Sequence, residues 1–224
     1  MGLGRTDTRA QAMKVLVVGG GAQAKYALEI YRLRAIKVVA VMDINPAPGL
    51  DWAAAYSCTV VGFDPRLACA RNLSATHVLP CSGSPAQRRA LWEQVVPEAN
   101  LPVPDAVHPR ATVATTARLG EGVIVNAGAV IQPFATIGRG AMIHANVVVD
   151  HDSVVGEFAN LAPGVDLAGW VTVGPGATLF TGASVIPKVR IGARSIVGAG
   201  AVVIGDVPED SVAVGAPARV VKSI

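Results

Sequence analysis

From Val107 to Val203 every sixth residue is Val, Ile or Leu, seventeen positions without a gap. Four residues after each of them stands Ala, Val or Ser, as at Ala111, Ala117, Ala141, Ser153, Ala177 and Val207. A period of six fits neither the 3.6-residue helix nor the two-residue alternation of an ordinary strand. It suits a chain that coils with three flat faces, each face one short strand and one corner, so that a full turn takes eighteen residues. The large side chain fills the prism, and the small one leaves room where two faces converge. The aromatic content is 4% and the hydrophobic content 51%, so that core is built of Val, Ala, Ile and Leu. Residues 107–203 make about five coils, after which Asp206, Val207 and Pro208 close the last coil ahead of a short tail.

The first half reads differently. An apolar run over 14–18 ends in Gly19, Gly20 and Gly21, a helical stretch follows over 23–34, and a second strand over 37–42 ends at Asp43. This is a βαβ opening with a G-x-G-x-x-A turn and an acid twenty-odd residues on. A glycine turn at a helix N-terminus presents free N–H groups to a phosphate, and Asp43 is placed to accept a ribose or base hydrogen bond. About 90 residues hold one mononucleotide half rather than two. Further strands are expected over 59–61, ending at Gly62, and over 76–79, then a helix from Gly83-Ser84-Pro85 to about Val95, and a last strand over 101–107. The domain plan is a leader without regular structure (1–13), a Rossmann-like α/β domain (14–106) and an all-β prism with a C-terminal tail (107–224).

Composition narrows the partners. Net charge is +3, and from Val107 onward eight basic residues face eight acidic ones, so the prism lacks the basic face of a nucleic-acid binder. Gly, Pro, Asn or a charge breaks every apolar stretch before eighteen residues, so no membrane span is expected. The three cysteines, Cys58, Cys69 and Cys81, have no C-x-x-C spacing, which fits reduced thiols in a cytoplasm.

Of the four histidines, His144 and His151 lie inside the repeat. His151 follows the inward Val149 by two positions, which places it at a corner between Asp150 and Asp152. The eighteen-residue column through it runs Pro133, His151, Gly169, Pro187, so Gly169 stacks on His151 and offers a bare backbone N–H. A base beside an N–H donor is what acyl transfer requires: one takes the nucleophile's proton, the other holds the developing oxyanion. The plain alternative is an exposed corner histidine between solvating carboxylates. A zinc site needs three convergent ligands, and His144 and His151, seven apart, do not supply them, so no metal is expected. His77 and His108 read as structural.

Taken together, residues 19–25 (GGGAQAK), 108–109 (HP), 148–156 (VVDHDSVVG), 161–164 (LAPG), 196–203 (IVGAGAVV), 206–208 (DVP) and 214–218 (VGAPA) resemble the bacterial sugar O-/N-acyltransferase family nearly end to end. That resemblance implies a small Rossmann-like nucleotide-binding domain followed by a left-handed parallel β-helix of hexapeptide repeats. It implies an acetyl-CoA-dependent N-acetyltransferase acting on a nucleotide-linked amino sugar, UDP- or GDP-linked, in the cytoplasm. By the same resemblance His151 is the proton acceptor and Asp152 raises its basicity, while Gly169, Asn160 and His144 contact acetyl-CoA. Gly21, Ala22, Gln23 and Asp43, with Gly62 beside them, hold the nucleotide sugar.

The chain departs from the family pattern at three places. Gln23 stands where the glycine turn usually has histidine, His144 where asparagine is usual, and Asn160 where a second histidine is common. Positions 144 and 160 fall on adjacent coils, two residues out of vertical register, so the two side chains are expected to have exchanged places. Other readings are a sialic-acid-type O-acetyltransferase, a nicotinamide-dependent oxidoreductase resting on the glycine turn and Asp43, and a non-catalytic β-helix scaffold. A neutral, Val- and Ala-rich prism exterior leaves apolar faces over, and a homotrimer would bury them.

Overall fold

The computed structural model describes residues 13–43, 51–64 and 73–224. The expected leader lies, Met13 apart, outside the described residues. The chain divides into two compact units: one takes the residues up to Ser82 together with Ala90–Pro104, the other Gly83–Arg89 and Asp105–Ile224.

In the first unit β1 (Lys14–Val18), β2 (Lys37–Asp43), β3 (Thr59–Gly62) and β4 (His77–Pro80) form one parallel sheet in the order β3-β2-β1-β4. Helix α1 (Ala22–Leu33) turns Ala24, Ala27, Leu28, Ile30 and Tyr31 inward, a spacing of three and four that makes one apolar stripe. Gly19 lies at φ +105°, and a Cβ there would collide with the Cys81 carbonyl oxygen. The tight turn from β1 into α1 therefore requires glycine. Cys58 and Cys81 are buried free thiols, and burial pushes the Cys58 thiol up to about 11.

Helix α2 spans Pro85–Ala99, four residues beyond the expected end and with Pro97 inside it. The last strand expected over 101–107 is not part of this sheet. Pro102 and Pro104 carry no N–H for a ladder, and only Ala106–Val107 is strand, pairing with Ile124–Val125 of the second unit.

The second unit is the three-faced coil expected from the period of six, and it is the left-handed β-helix that the family resemblance implies. Two-residue strands stack in three parallel sheets, each strand pairing with those eighteen residues away, as Ile137 does with Leu119 and Val155. From Val125 to Val203 every sixth-residue aliphatic side chain is buried in one continuous core, and Val107, Val113 and Leu119 pack against its first coils. Serine serves at two small positions because its hydroxyl finds a partner: Ser153 Oγ donates to the Ala168 carbonyl at 3.0 Å and accepts the Val171 N–H at 3.1 Å. Ser195 Oγ donates to the Gly192 carbonyl at 2.7 Å. An antiparallel hairpin, Ser211–Gly215 with Ala218–Ser223, continues the sheet that starts at Ala106–Val107.

Candidate active site

The corner after strand Val148–Val149 carries His151 and Asp152. Asp152 sits at φ +58°, a left-handed position that the short aspartate side chain tolerates. That backbone turns its carboxylate onto the neighbouring ring: Asp152 Oδ2 lies 2.9 Å from His151 Nδ1. A carboxylate accepts, so the Nδ1 proton is donated to it and the lone pair remains on Nε2. Asp150 accepts the His151 backbone N–H at 2.7 Å, and its second oxygen lies 4.0 Å from Nε2.

One coil on, Gly169 lies beneath the imidazole. A methyl built on its α-carbon would stand 2.7 Å from His151 Nε2. Only a residue without a side chain leaves the ring this place. Trp170 then closes its edge, with ring centroids 4.4 Å apart and planes at 87°, and its own N–H donates to the His151 carbonyl at 3.1 Å. Among the described residues no acceptor takes the Gly169 N–H. A base with a directed lone pair and an unclaimed N–H thus share one corner.

His144 is buried in the β-helix. It is 6% exposed, at the end of strand Met142–Ile143, and its Nε2 lies 3.2 Å from Asn160 Oδ1 on the next coil. Burial pushes the imidazole pKa below its ordinary value, the Asn160 hydrogen bond works against this, and the positive charge of Arg88 adds to it. One coil earlier in the same column Asn126 is 5% exposed, and its amide nitrogen has no hydrogen-bond partner among the described residues. Trp170, Asn126 and Arg88 escape a reading by motif. The eighteen-residue column through His144 contains Asn126, and that through Asp152 contains Trp170, whereas nothing in the repeat points to Arg88.

In the first unit the sheet brings together the residues expected to hold a nucleotide. Gly21 is the N-cap of α1 with no side-chain cap, Gly21 and Ala22 are exposed, and a Cβ on Gly21 would meet nothing within 4 Å. Asp43 ends β2, pairs with Gly62 of β3, and accepts the Gly20 N–H on its carboxylate. The Gln23 side-chain oxygen is buried and has no hydrogen-bond partner among the described residues. Turn, acid and Gly62 therefore lie along the carboxyl edge of one sheet, where α/β folds bind ligands. His77 Nδ1 is within 2.8 Å of Thr76 Oγ1, and His108 Nδ1 accepts the Arg110 N–H at 3.0 Å, both local structural bonds. Among the described residues no three His, Cys, Asp or Glu side chains are placed to share a metal ion.

The bacterial transferase hexapeptide pattern (six repeats) matches residues 116–151. Over 93% of its length the chain is 38% identical to PerB from Caulobacter crescentus, whose structure contains CoA and GDP-perosamine; the TM-score is 0.86 and 97% of that chain is covered. The chain belongs to the bacterial sugar acyltransferases. A variant of the same perosamine N-acetyltransferase in which one histidine is replaced by asparagine, again with CoA and GDP-perosamine, matches at 37% identity with a TM-score of 0.87, covering 94% of this chain and 97% of that one. The acetyltransferase domain of PglB from Neisseria gonorrhoeae, solved with acetyl coenzyme A, shares the fold at 24% identity and a TM-score of 0.79, over 93% of this chain and 98% of that one. No curated protein sequence matches the chain. This sugar acyltransferase joins a four-stranded parallel α/β unit to a hexapeptide β-helix, and the His151–Gly169 corner lies on the β-helix.

Proposed function

We propose that the protein transfers the acetyl group of acetyl-CoA to the amino group of a nucleotide-linked amino sugar, with His151 as general base. The observation that carries this reading is the His151 corner, where Asp152 fixes the tautomer and Gly169 leaves Nε2 open beside an N–H. The amine attacks the thioester carbonyl, a C–N bond forms, and Nε2 takes the proton the nitrogen sheds. The Gly169 N–H stabilises the oxyanion, the C–S bond then breaks, and the leaving thiolate takes the proton back from Nε2, so that CoA leaves as the thiol and His151 is neutral again. Asp152 holds the imidazolium while it exists. Asn160 and His144 serve the acyl donor.

Gly21, Ala22, Gln23, Asp43 and Gly62 grip the nucleotide part of the acceptor, the glycine turn receiving a phosphate. The 38% identical Caulobacter protein, which binds GDP-perosamine, makes a GDP-linked 4-amino sugar the first acceptor to test. The nicotinamide reading lacks support, because the four-stranded sheet is a single mononucleotide half. We place the reaction in the cytoplasm, where acetyl-CoA is made and the Cys58 and Cys81 thiols stay reduced. Among the described residues no helix is long and apolar enough to cross a membrane.

The test is thiol release. Acetyl-CoA and GDP-perosamine together should release CoA thiol at a rate proportional to enzyme, and each alone should raise the melting temperature. No thiol release from any amino-sugar nucleotide, with stabilisation by NADH instead, would overturn the reading.

A further inference from the structure

We propose that Arg88 is a positioning residue for the His144–Asn160 pair; the inference rests on the acetyl-transfer reading, in which that pair serves the acyl donor. Arg88 lies in the first turns of α2 and groups with the β-helix. It is 1% exposed. Its Nε donates to the Gly140 carbonyl at 2.6 Å, and one Nη donates to the Phe158 carbonyl at 2.8 Å and the Ala159 carbonyl at 3.3 Å. Gly140 and Phe158 are eighteen residues apart, so one guanidinium ties two successive coils at the same corner.

Those two coils are the ones that matter for the pair. Strand Met142–Ile143, which ends at His144, starts two residues after Gly140, and strand Asn160–Leu161 starts two residues after Phe158. Met142 pairs with Asn160 across the ladder, and the His144 and Asn160 side chains meet just beyond it. The planar fork of arginine can hold both carbonyls at once; a lysine ammonium, a point donor on a flexible stem, cannot hold them in the same fixed geometry. The Phe158 ring completes the staple. It lies over Gly140, where a methyl would come within 2.5 Å of a ring carbon, and the Arg89 guanidinium sits 4.9 Å from the ring centroid.

Arg88 also acts through its charge. A buried cation near His144 disfavours the imidazolium, in the same direction as burial. The neutral ring then carries its proton on Nε2 and donates it to Asn160 Oδ1, because a carboxamide oxygen only accepts. One side chain outside the repeat thus sets the spacing of the pair, on which the Nε2–H···Oδ1 bond depends, and adds its charge to the burial that keeps the ring neutral.

The experiment compares Arg88→Met and Arg88→Lys with the unchanged full chain, reading the KM for acetyl-CoA, the KM for the nucleotide sugar and the ¹⁵N signals of His144. Arg88→Met should raise the acetyl-CoA KM about tenfold, leave the sugar KM within about twofold, and turn a single Nε2–H tautomer into an averaged one. Arg88→Lys should fall between the two. A lowered melting temperature with both KM values and the His144 signals unchanged would reduce Arg88 to a structural staple and overturn the proposal. Should Arg88→Met fail to fold, a double-mutant cycle of Arg88→Lys with Asn160→Ala decides: coupled effects on the acetyl-CoA KM support positioning, additive ones refute it. If the unchanged protein released no CoA at all, the acetyl-transfer reading would fall, and the His144 signals would still decide whether Arg88 holds the pair.

Discussion

The α-carbon of Gly169 lies against the His151 imidazole so closely that a single methyl group there would come within 2.7 Å of Nε2. With Asp152 on Nδ1 and Trp170 against the ring, the imidazole is confined on three sides. Its Nε2 is placed by the backbone of the next coil and by both neighbours, so a side chain at position 169 would displace the ring.

Gly169→Ala should leave the fold intact, since Gly169 is not one of the core aliphatics, and should push the ring off its mark. A displacement of about 1 Å at a reacting group costs on the order of 10²-fold in rate. Steady-state kcat beside a thermal melt checks this. Unchanged kcat in a folded variant would mean that the ring does not work from this position.

The His144–Asn160 hydrogen bond shows that the two side chains occupy one space from adjacent coils. His144→Asn alone should raise the acetyl-CoA KM, and adding Asn160→His should restore most of the loss, a non-additivity read by a double-mutant cycle. If His144→Asn leaves the acetyl-CoA constants untouched, the exchange of places has no functional meaning.

His144 and His77 both have imidazole pKa values pushed below the ordinary 6.5, chiefly by burial. The unfolded chain therefore takes up these protons first as the pH falls through 6.5. Stability is full at neutral pH and declines with acidification until the folded-state values are passed. Melting temperature should drop from about pH 7 to about pH 5.5, and His144→Asn should flatten part of that slope. A slope equal to that of the unchanged protein would show that His144 is not buried in the working enzyme.

Much of this molecule was legible because burial imposes a period. Each inward position of the prism admits one aliphatic and one small residue per six, so Val149 or Leu167 could be placed without coordinates, and with them the corner position of His151. The strand expected over 101–107 fails because Pro102 and Pro104 cannot join a ladder, a local rule that overrides the apolar pattern. Arg88 was not legible. Its partners are backbone carbonyls 52, 70 and 71 residues away, which carry no sequence signature. Trp170 carries no motif, and only the stacking of the two corners shows that it packs on the His151 ring. Asp43 reads as a ligand acceptor, yet its carboxylate already takes the Gly20 N–H, a bond that shapes the turn expected to bind phosphate.

Val154, Ile186, Val202 and Ile204 are exposed large hydrophobics on the outer faces of the prism. A three-fold assembly would cover such faces and place corners of neighbouring subunits together. Sedimentation equilibrium at micromolar concentration should give three chain masses. A monomer would remove any site shared between subunits.

Removing the His151 imidazole tests most directly whether it is the base. His151→Ala, assayed by CoA thiol release with acetyl-CoA and a GDP-linked 4-amino sugar, should lose about 10²–10⁴ in kcat while binding the nucleotide sugar and melting as the unchanged protein does. A folded His151→Ala variant that keeps its rate within about threefold would show that another group takes the proton.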